Sequence, residues 1–228
     1  MFEISNLSKS FTLHHQGSTR IDVLSEVNFR VEKGECIALT GPSGAGKSTL
    51  MRMLYGNYLA EYGSIKINGE ELVGAEPRHI LSIRRHLLGY VSQFLRVLPR
   101  VPAIRVVAEP MIASGASPKA AEDRAIELLT RLRIPQTLWS LSPLTFSGGE
   151  QQRVNIARGF SHSYPAMLLD EPTASLDPDN RQTVLELIHE AKAKETAIIG
   201  IFHDQAARDD VCNREIKITA LHTAKQVS

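Results

Sequence analysis

A chain of 228 residues with 43% hydrophobic and 22% charged side chains has the composition of a globular protein, one domain or two small ones. A chain this long can bury about 70–75% of its unfolded surface and needs no covalent staple. Its net charge of +1 argues against a globally basic nucleic-acid binder, and its two cysteines, Cys36 and Cys212, allow a single bridge between them but are too few for a secreted disulfide framework.

The start, "MFEISNLSKSF", has neither the basic residues nor the apolar stretch of a signal peptide. The longest apolar runs, such as "AIIGIF", fall far short of the ~20 residues that cross a membrane. A cytoplasmic protein with no membrane insertion is expected. Three β-like stretches follow in order, "MFEISNL", "IDVLSEVNFRV" and "ECIALT", and Cys36 in the third reads as a small buried thiol. The third runs directly into "GPSGAGKST" and a helix beginning "LMRMLYG", and a strand "GSIKING" then ends in an Asn-Gly turn. From Pro77 to Pro135 the pattern turns helical. Ala121, Ala125, Leu128, Leu129 and Leu132 fall on one helical face. "TFSGGEQQRVNIARGF" reads as a further helix, with Val154, Ile156, Ala157 and Phe160 at helical spacing. Then come a buried strand "PAMLLDEP", a helix with the stripe Val184, Leu187, Ile188 and Ala191, a strand "TAIIGIF", a short helix and a last strand. "HTAKQVS" reads as a frayed tail. Strand–helix alternation at both ends predicts a parallel α/β core, with the middle third as a helical insertion.

"GPSGAGKS" is glycine, four residues, glycine-lysine-serine. Wrapping a triphosphate in backbone N–H groups needs glycines, here Gly41, Gly44 and Gly46, for a tight turn and close approach. Pro42, Ser43 and Ala45 complete the loop, and Thr49 follows in the helix, whose positive N-terminal end favours an anion. Lys47 is expected to reach the β- and γ-phosphates, and Ser48 to ligate Mg²⁺. The pattern defines a superfamily that includes kinases, GTPases, recombinases and transporter ATPases.

Asp170 ends a wholly apolar strand, where a parallel sheet faces its ligand crevice, so its carboxylate can hold Mg²⁺. Glu171 comes next and is placed to polarise an attacking water. His203, after "AIIGIF", should lie at the same sheet edge, within reach of a γ-phosphate. Gln93, in "YVSQFL", follows another strand-like run and can offer an amide oxygen to the metal. The histidines at 14, 15, 79, 86, 162, 189 and 222 show no metal-ligand spacing.

Ser147 and Glu150 form the Ser-x-x-Glu pattern of a capping box. The pattern does not explain Gly148 and Gly149 between them, each costing about 1 kcal/mol against alanine in a helix. Bare backbone at a helix N-terminus suits an anion that must come close. Since residues 41–48 already form one cradle, this second one needs a different phosphate or the same one from the far side, and a head-to-tail pair of subunits, each closing over the ATP of the other, would satisfy that.

These residues resemble the ABC-type ATPases over the chain to about residue 218. "GPSGAGKST" looks like the Walker A loop, Gln93 falls at the Q-loop, and "FSGGEQQ" is similar to the signature motif. "MLLDEP" looks like Walker B with its catalytic Glu171, "SLD" ending at Asp177 like the D-loop, and His203 like the switch histidine. Phe11 sits where the family places an aromatic ring against adenine. The resemblance implies a single nucleotide-binding domain over 1–228, an α/β P-loop core with an antiparallel β lobe (1–76 and 164–228) and a helical signature lobe with the Q-loop (about 77–163). It implies ATP and Mg²⁺ as cofactors and an ATP-dependent homodimer or a heterodimer with a related subunit. Glu171 and His203 argue against a non-hydrolysing scaffold.

Within that family, "VSQFLRVLPR", the signature stretch, "LLDEPTASLD" and "GIFHD" look closest to the L subunit of the bacterial phosphonate carbon–phosphorus lyase system. That branch implies subunits of the lyase complex as partners and a role in ribose-1-phosphonate triphosphate formation. The alternative is the ATPase of a lipoprotein- or macrolide-export transporter, whose signature also reads "SGGEQQR". Transport ATPases usually carry a "TVxEN"-like stretch where this chain has "PAIRVVAEP", with Arg105 and Val106 in place of the acidic-Asn pair. From Arg78 through Arg105 the chain holds six arginines and no acidic residue, either a solvated face or a surface for an acidic partner.

Overall fold

A computed structural model describes residues 1–13, 19–219 and 224–226. The strands, in chain order, are β1 (Phe2–Leu13), β2 (Thr19–Val31), β3 (Cys36–Thr40), β4 (Tyr62–Ile67), β5 (Glu70–Glu71), β6 (Leu88–Val91), β7 (Ala166–Asp170), β8 (Ala197–Ile201), β9 (Arg214–Lys217) and β10 (Ala224–Gln226). The helices are α1 (Lys47–Leu54), α2 (Pro77–His86), α3 (Ala103–Ala113), α4 (Pro118–Arg131), α5 (Gly148–Gly159), α6 (Pro178–Ala193) and α7 (Gln205–Val211). They build two five-stranded sheets, an antiparallel one in the order β10-β2-β1-β4-β5 and a parallel one in the order β6-β7-β8-β3-β9.

The parallel strands are buried on both faces, which is why they read as unbroken apolar runs rather than as alternating ones. Successive residues of one strand join different cores. Cys36, Ala38, Met167, Leu169 and Ile198 pack with α3 to α6. Ile37, Leu39, Leu168 and Ile199 pack with α1 and the antiparallel sheet. On α4, the predicted face of Ala121, Ala125, Leu128, Leu129 and also Leu132 just beyond it is fully buried. In a parallel sheet every strand delivers its C-terminal end to the same edge. The loop after β3, Gln93 after β6, Asp170 of β7 and His203 after β8 therefore come out together.

The strand-like run read before Gln93 is β6, which pairs with β7 from Leu88↔Ala166 to Val91↔Leu169 and forms the edge of the parallel sheet, so the mainly helical stretch from Pro77 to Pro135 also supplies one strand. One local expectation is corrected. Within the stretch read as a frayed tail, Ala224–Gln226 pairs antiparallel with Ile21–Thr19. This covers backbone groups of β2 that an edge strand leaves unpaired. Among the described residues no helix is long and apolar enough to cross a membrane.

Candidate nucleotide site

The loop from Gly41 to Gly46 turns through three glycines at positive φ, 137°, 77° and 100° at Gly41, Gly44 and Gly46. Gly41 is further constrained by packing: a Cβ there would lie 2.3 Å from the carbonyl oxygen of Ile218. Gly46 caps α1 without a side-chain hydrogen bond, and the first turn of α1 holds no acidic residue. The N–H groups and positive dipole end of that turn thus remain available to an anion. The Lys47 ammonium donates to the carbonyl oxygens of Gly41 (2.7 Å) and Pro42 (3.0 Å), which holds it across the mouth of the loop. Pro42, Ser43, Gly44 and Ser48 are exposed, Thr49 is half-buried and Ala45 is buried.

Three strand ends meet opposite the loop. Asp170 is buried, and the Tyr90 hydroxyl on β6 donates to its Oδ2 at 3.3 Å. Burial, and next the charge of Glu171, push the Asp170 carboxyl above its usual range, while the Tyr90 hydrogen bond works the other way. Glu171 sits at φ 55°, in the left-handed region that costs a residue with a Cβ about 1–2 kcal/mol. Its N–H donates to the Ile201 carbonyl at 3.0 Å, which ties this turn to the end of β8. The Glu171 carboxylate has His203 Nε2 at 2.8 Å from Oε1, and Gln93 Nε2 donates to Oε2 at 3.3 Å. Gln93, Glu171 and His203, singled out separately in the sequence, thus form one cluster.

Sequence reasoning passed over the two residues that join this cluster to α5. Gln152 Nε2 lies 3.5 Å from the Glu171 carbonyl oxygen, and Asn155 Nδ2 donates to the Ser92 carbonyl oxygen at 2.5 Å. Both are buried polar groups on a helix face that packs into a core. Polar residues at i and i+3 among buried apolar neighbours were the available signal.

The start of α5 is a complete capping box. Ser147 Oγ accepts from the Glu150 N–H, and Glu150 Oε2 accepts from the Ser147 N–H at 2.9 Å. Hydrogen bonds from Ser147 hold the Glu150 carboxyl below the usual carboxylate range. The glycines between them are not needed by the protomer. Neither has a positive φ, a Cβ at 148 meets nothing within 4 Å, and one at 149 meets only the Arg153 guanidinium at 3.9 Å. Among the described residues no hydrogen bond joins 147–150 to 41–49.

Two further candidates stand apart. Asp177 caps α6, accepting from the backbone N–H (2.9 Å) and the side-chain amide (2.6 Å) of Asn180, bonds that hold its carboxyl below the usual range. Phe11 lies on β1 with its ring edge-on to Tyr58 at 5.6 Å and the Lys9 ammonium 5.1 Å from its centre. Its neighbourhood borders the phosphate loop: Phe11 pairs with Ile21 on β2, and a Cβ at Gly46 would lie 3.0 Å from Val23 of the same strand. Of the unassigned histidines, 14, 15 and 222 lie outside the described residues. Among the described residues no three His, Cys, Asp or Glu side chains form a metal-binding group.

A glycine loop between a buried strand and a helix, facing an acidic strand end across the same sheet edge, is the site of a P-loop nucleoside triphosphatase. The profile of the ABC transporter family matches residues 24–174, and the chain belongs to that family as an ATP-binding, ABC-type ATPase. It is 34% identical over 215 residues to the lipoprotein-releasing system ATP-binding protein LolD of Legionella pneumophila (strain Paris), covering 94% of this chain and 92% of that one. It is also 34% identical to the macrolide export ATP-binding/permease protein MacB of Shewanella sp. (strain W3-18-1) over 204 residues, 90% of this chain and 31% of that longer one. The dimeric ATP-binding cassette MJ0796 with ADP and Pi superposes with a TM-score of 0.87 at 25% identity, over 100% of both chains.

These relatives overturn the phosphonate lyase assignment: they are export-type ATP-binding proteins. The physical reason lies in which residues had carried it. The signature stretch also reads "SGGEQQR" in lipoprotein- and macrolide-export ATPases, so it separates the branches poorly. The departures at Arg105 and Val106 lie outside the strand-end cluster that holds Glu171.

Proposed function

We propose that the chain is the ATP-hydrolysing subunit of an export-type ABC transporter, of the lipoprotein-release or macrolide-export kind, working with a membrane permease. The observation that carries the reading is its 34% identity to LolD along nearly the whole of both chains. A groove of about 780 Å³ supports a permease partner. Its walls include Val97, Leu98, Val101 and Ile112, and Arg96 and Arg105 stand at it. Leu98 is 76% exposed and nearby Phe94 71%, apolar surface that a bound partner would cover. An amphipathic permease segment with a carboxylate among its apolar residues fits such a groove. The test is co-purification in detergent with the membrane proteins of its own cell. Wild type is expected to bring down a permease, and Leu98→Asp or Arg105→Glu to lose it while the isolated subunit still splits ATP. Capture of lyase subunits and no membrane protein would end this reading.

ATP is held at residues 41–49, with backbone N–H groups and Lys47 on its phosphates and Phe11 near its base. Ser48, Gln93 and Asp170 offer the hydroxyl, amide and carboxylate oxygens that Mg²⁺ prefers. The buried Asp170 beside the charge of Glu171 fits a cation there. Mg²⁺, when bound, neutralises charge on the β- and γ-phosphates. Glu171 takes the proton of the attacking water. His203, hydrogen-bonded to Glu171, holds that carboxylate and contacts the γ-phosphate, and Gln93 steadies its other oxygen. The pocket is completed by a second copy or a related subunit, whose Ser147, Gly148, Gly149 and Glu150 close over the γ-phosphate while Asp177 lies at the seam. MJ0796 forms a dimer in its solved structures. Lys47→Ala is expected to weaken ATP binding by about 1.5–3 kcal/mol, on the order of 10–150-fold. Equilibrium binding of a fluorescent ATP analogue measures it, and wild-type affinity would remove Lys47 from the cradle.

A further inference from the structure

We propose that Cys36 and Cys212 form a dithiol site that a peroxide closes reversibly to an intramolecular disulfide. The two are 176 residues apart in sequence, yet their sulfurs lie 3.7 Å from each other, and both are free thiols. Cys36 opens β3 and Cys212 directly follows α7, at the end of the sheet opposite the phosphate loop. Neither takes part in nucleotide binding as argued above.

The backbone holds the pair in register. The Cys36 N–H donates to Asn213 Oδ1 at 2.9 Å, and the Asn213 N–H donates to the Cys36 carbonyl oxygen at 2.7 Å. The next residues, Ile37 and Arg214, are partners in the β3–β9 ladder. Chain segments bracketed in this way keep the two side chains facing each other through thermal motion. Bond formation at about 2.05 Å then needs side-chain rotation of on the order of 1–2 Å, within the reach of two thiols on adjacent backbone.

The environment divides the roles. Cys212 is partly exposed and Cys36 is buried, so a small oxidant meets Cys212 first. The hydrogen bond with Cys36, and then the nearby Lys192 ammonium, hold the Cys212 thiol below its usual range. The same contact and burial push the Cys36 thiol up. Lys192 is fixed there by donating to the Val211 carbonyl oxygen at 2.6 Å. A thiolate at Cys212 is the better nucleophile.

The Cys212 thiolate attacks one oxygen of hydrogen peroxide, the O–O bond breaks, and hydroxide leaves, giving a sulfenic acid. The Cys36 sulfur then attacks the Cys212 sulfur. The S–O bond breaks, the second hydroxide leaves, and it takes the Cys36 proton. Two thiols lose two electrons, and peroxide is reduced to two waters. A dithiol reductant reverses the reaction by exchange.

The test is peroxide treatment of the purified full chain, followed by denaturing thiol titration, intact mass and non-reducing peptide mapping. Wild type is expected to lose both titratable thiols and two hydrogen masses, with a peptide joining residues 36 and 212 that dithiothreitol separates. In Cys212→Ser, which changes the partly exposed member, Cys36 is expected to stay a thiol under the same treatment. Cys212 carrying added oxygens while Cys36 remains reduced would overturn the proposal. So would a crosslink found only between chains. Both are read on the wild-type protein, so the folding of a variant does not decide the outcome.

Discussion

Glu171→Gln is expected to lower ATP turnover by about 10²–10⁴-fold, the range a positioned general base contributes, while leaving ATP affinity near wild type. Glutamine keeps the shape of the side chain and its place between Gln93 and His203. It tolerates the left-handed backbone at 171 no worse than glutamate does, so the turn after β7 should survive. Only the proton acceptor is lost. In the proposed assembly the second subunit is bound through the triphosphate, so a chain that cannot hydrolyse should accumulate as a nucleotide-bound dimer. Phosphate release gives the rate and light scattering the mass. An unchanged rate would take Glu171 out of the catalytic role, and a dead variant that stays monomeric with ATP would break the link between hydrolysis and opening.

Bulky residues at 148 and 149 should have the opposite profile, with a sound protomer and a failed assembly. Nothing within the chain crowds either position, and neither backbone needs glycine. Replacing a helical glycine by a better helix former gains roughly 0.5–1 kcal/mol per site. Gly148→Leu and Gly149→Leu are therefore expected to hold or raise the thermal midpoint. They should keep ATP binding at residues 41–49 and lose both ATP-dependent dimerisation and most hydrolysis. Circular dichroism melts, nucleotide binding and light scattering on the same samples separate these effects. A variant that melts early would show that the protomer itself needs the glycines. One that dimerises and turns over normally would show that no phosphate approaches them.

The two sites differ in how much of each is encoded by neighbouring residues. The cradle at 41–48 was legible because its requirements are local: a tight turn, close backbone approach and a helix start within eight consecutive residues. The capping box of Ser147 and Glu150 was legible for the same reason. The face of α4 could be read from spacing, since 3.6 residues per turn fixes which side chains share a side. Local rules left the tail unread, because whether Ala224–Gln226 pairs depends on an open edge of β2 some two hundred residues earlier.

The polar wiring of α5 needed the structure. The spacing of Gln152 and Asn155 hinted that they are buried, but their partners, the carbonyls of Glu171 and Ser92, lie on other elements that only the fold brings beneath them. The branch of the family was not legible because the motifs used to choose it are shared across the family, and the relatives point to export-type ATP-binding proteins instead.

By itself the sequence determined the class, an ATP-binding ABC-type ATPase, because a glycine loop, an acidic strand end, a histidine and a helix start stripped of side chains are each short-range patterns. Only the tertiary structure decided that Gln93, Glu171 and His203 share one hydrogen-bonded cluster, and that Cys36 faces Cys212. Such meetings depend on the order β6-β7-β8-β3-β9. Strand order is set by long-range packing of apolar faces, and no local stretch of chain encodes which strand will lie beside it.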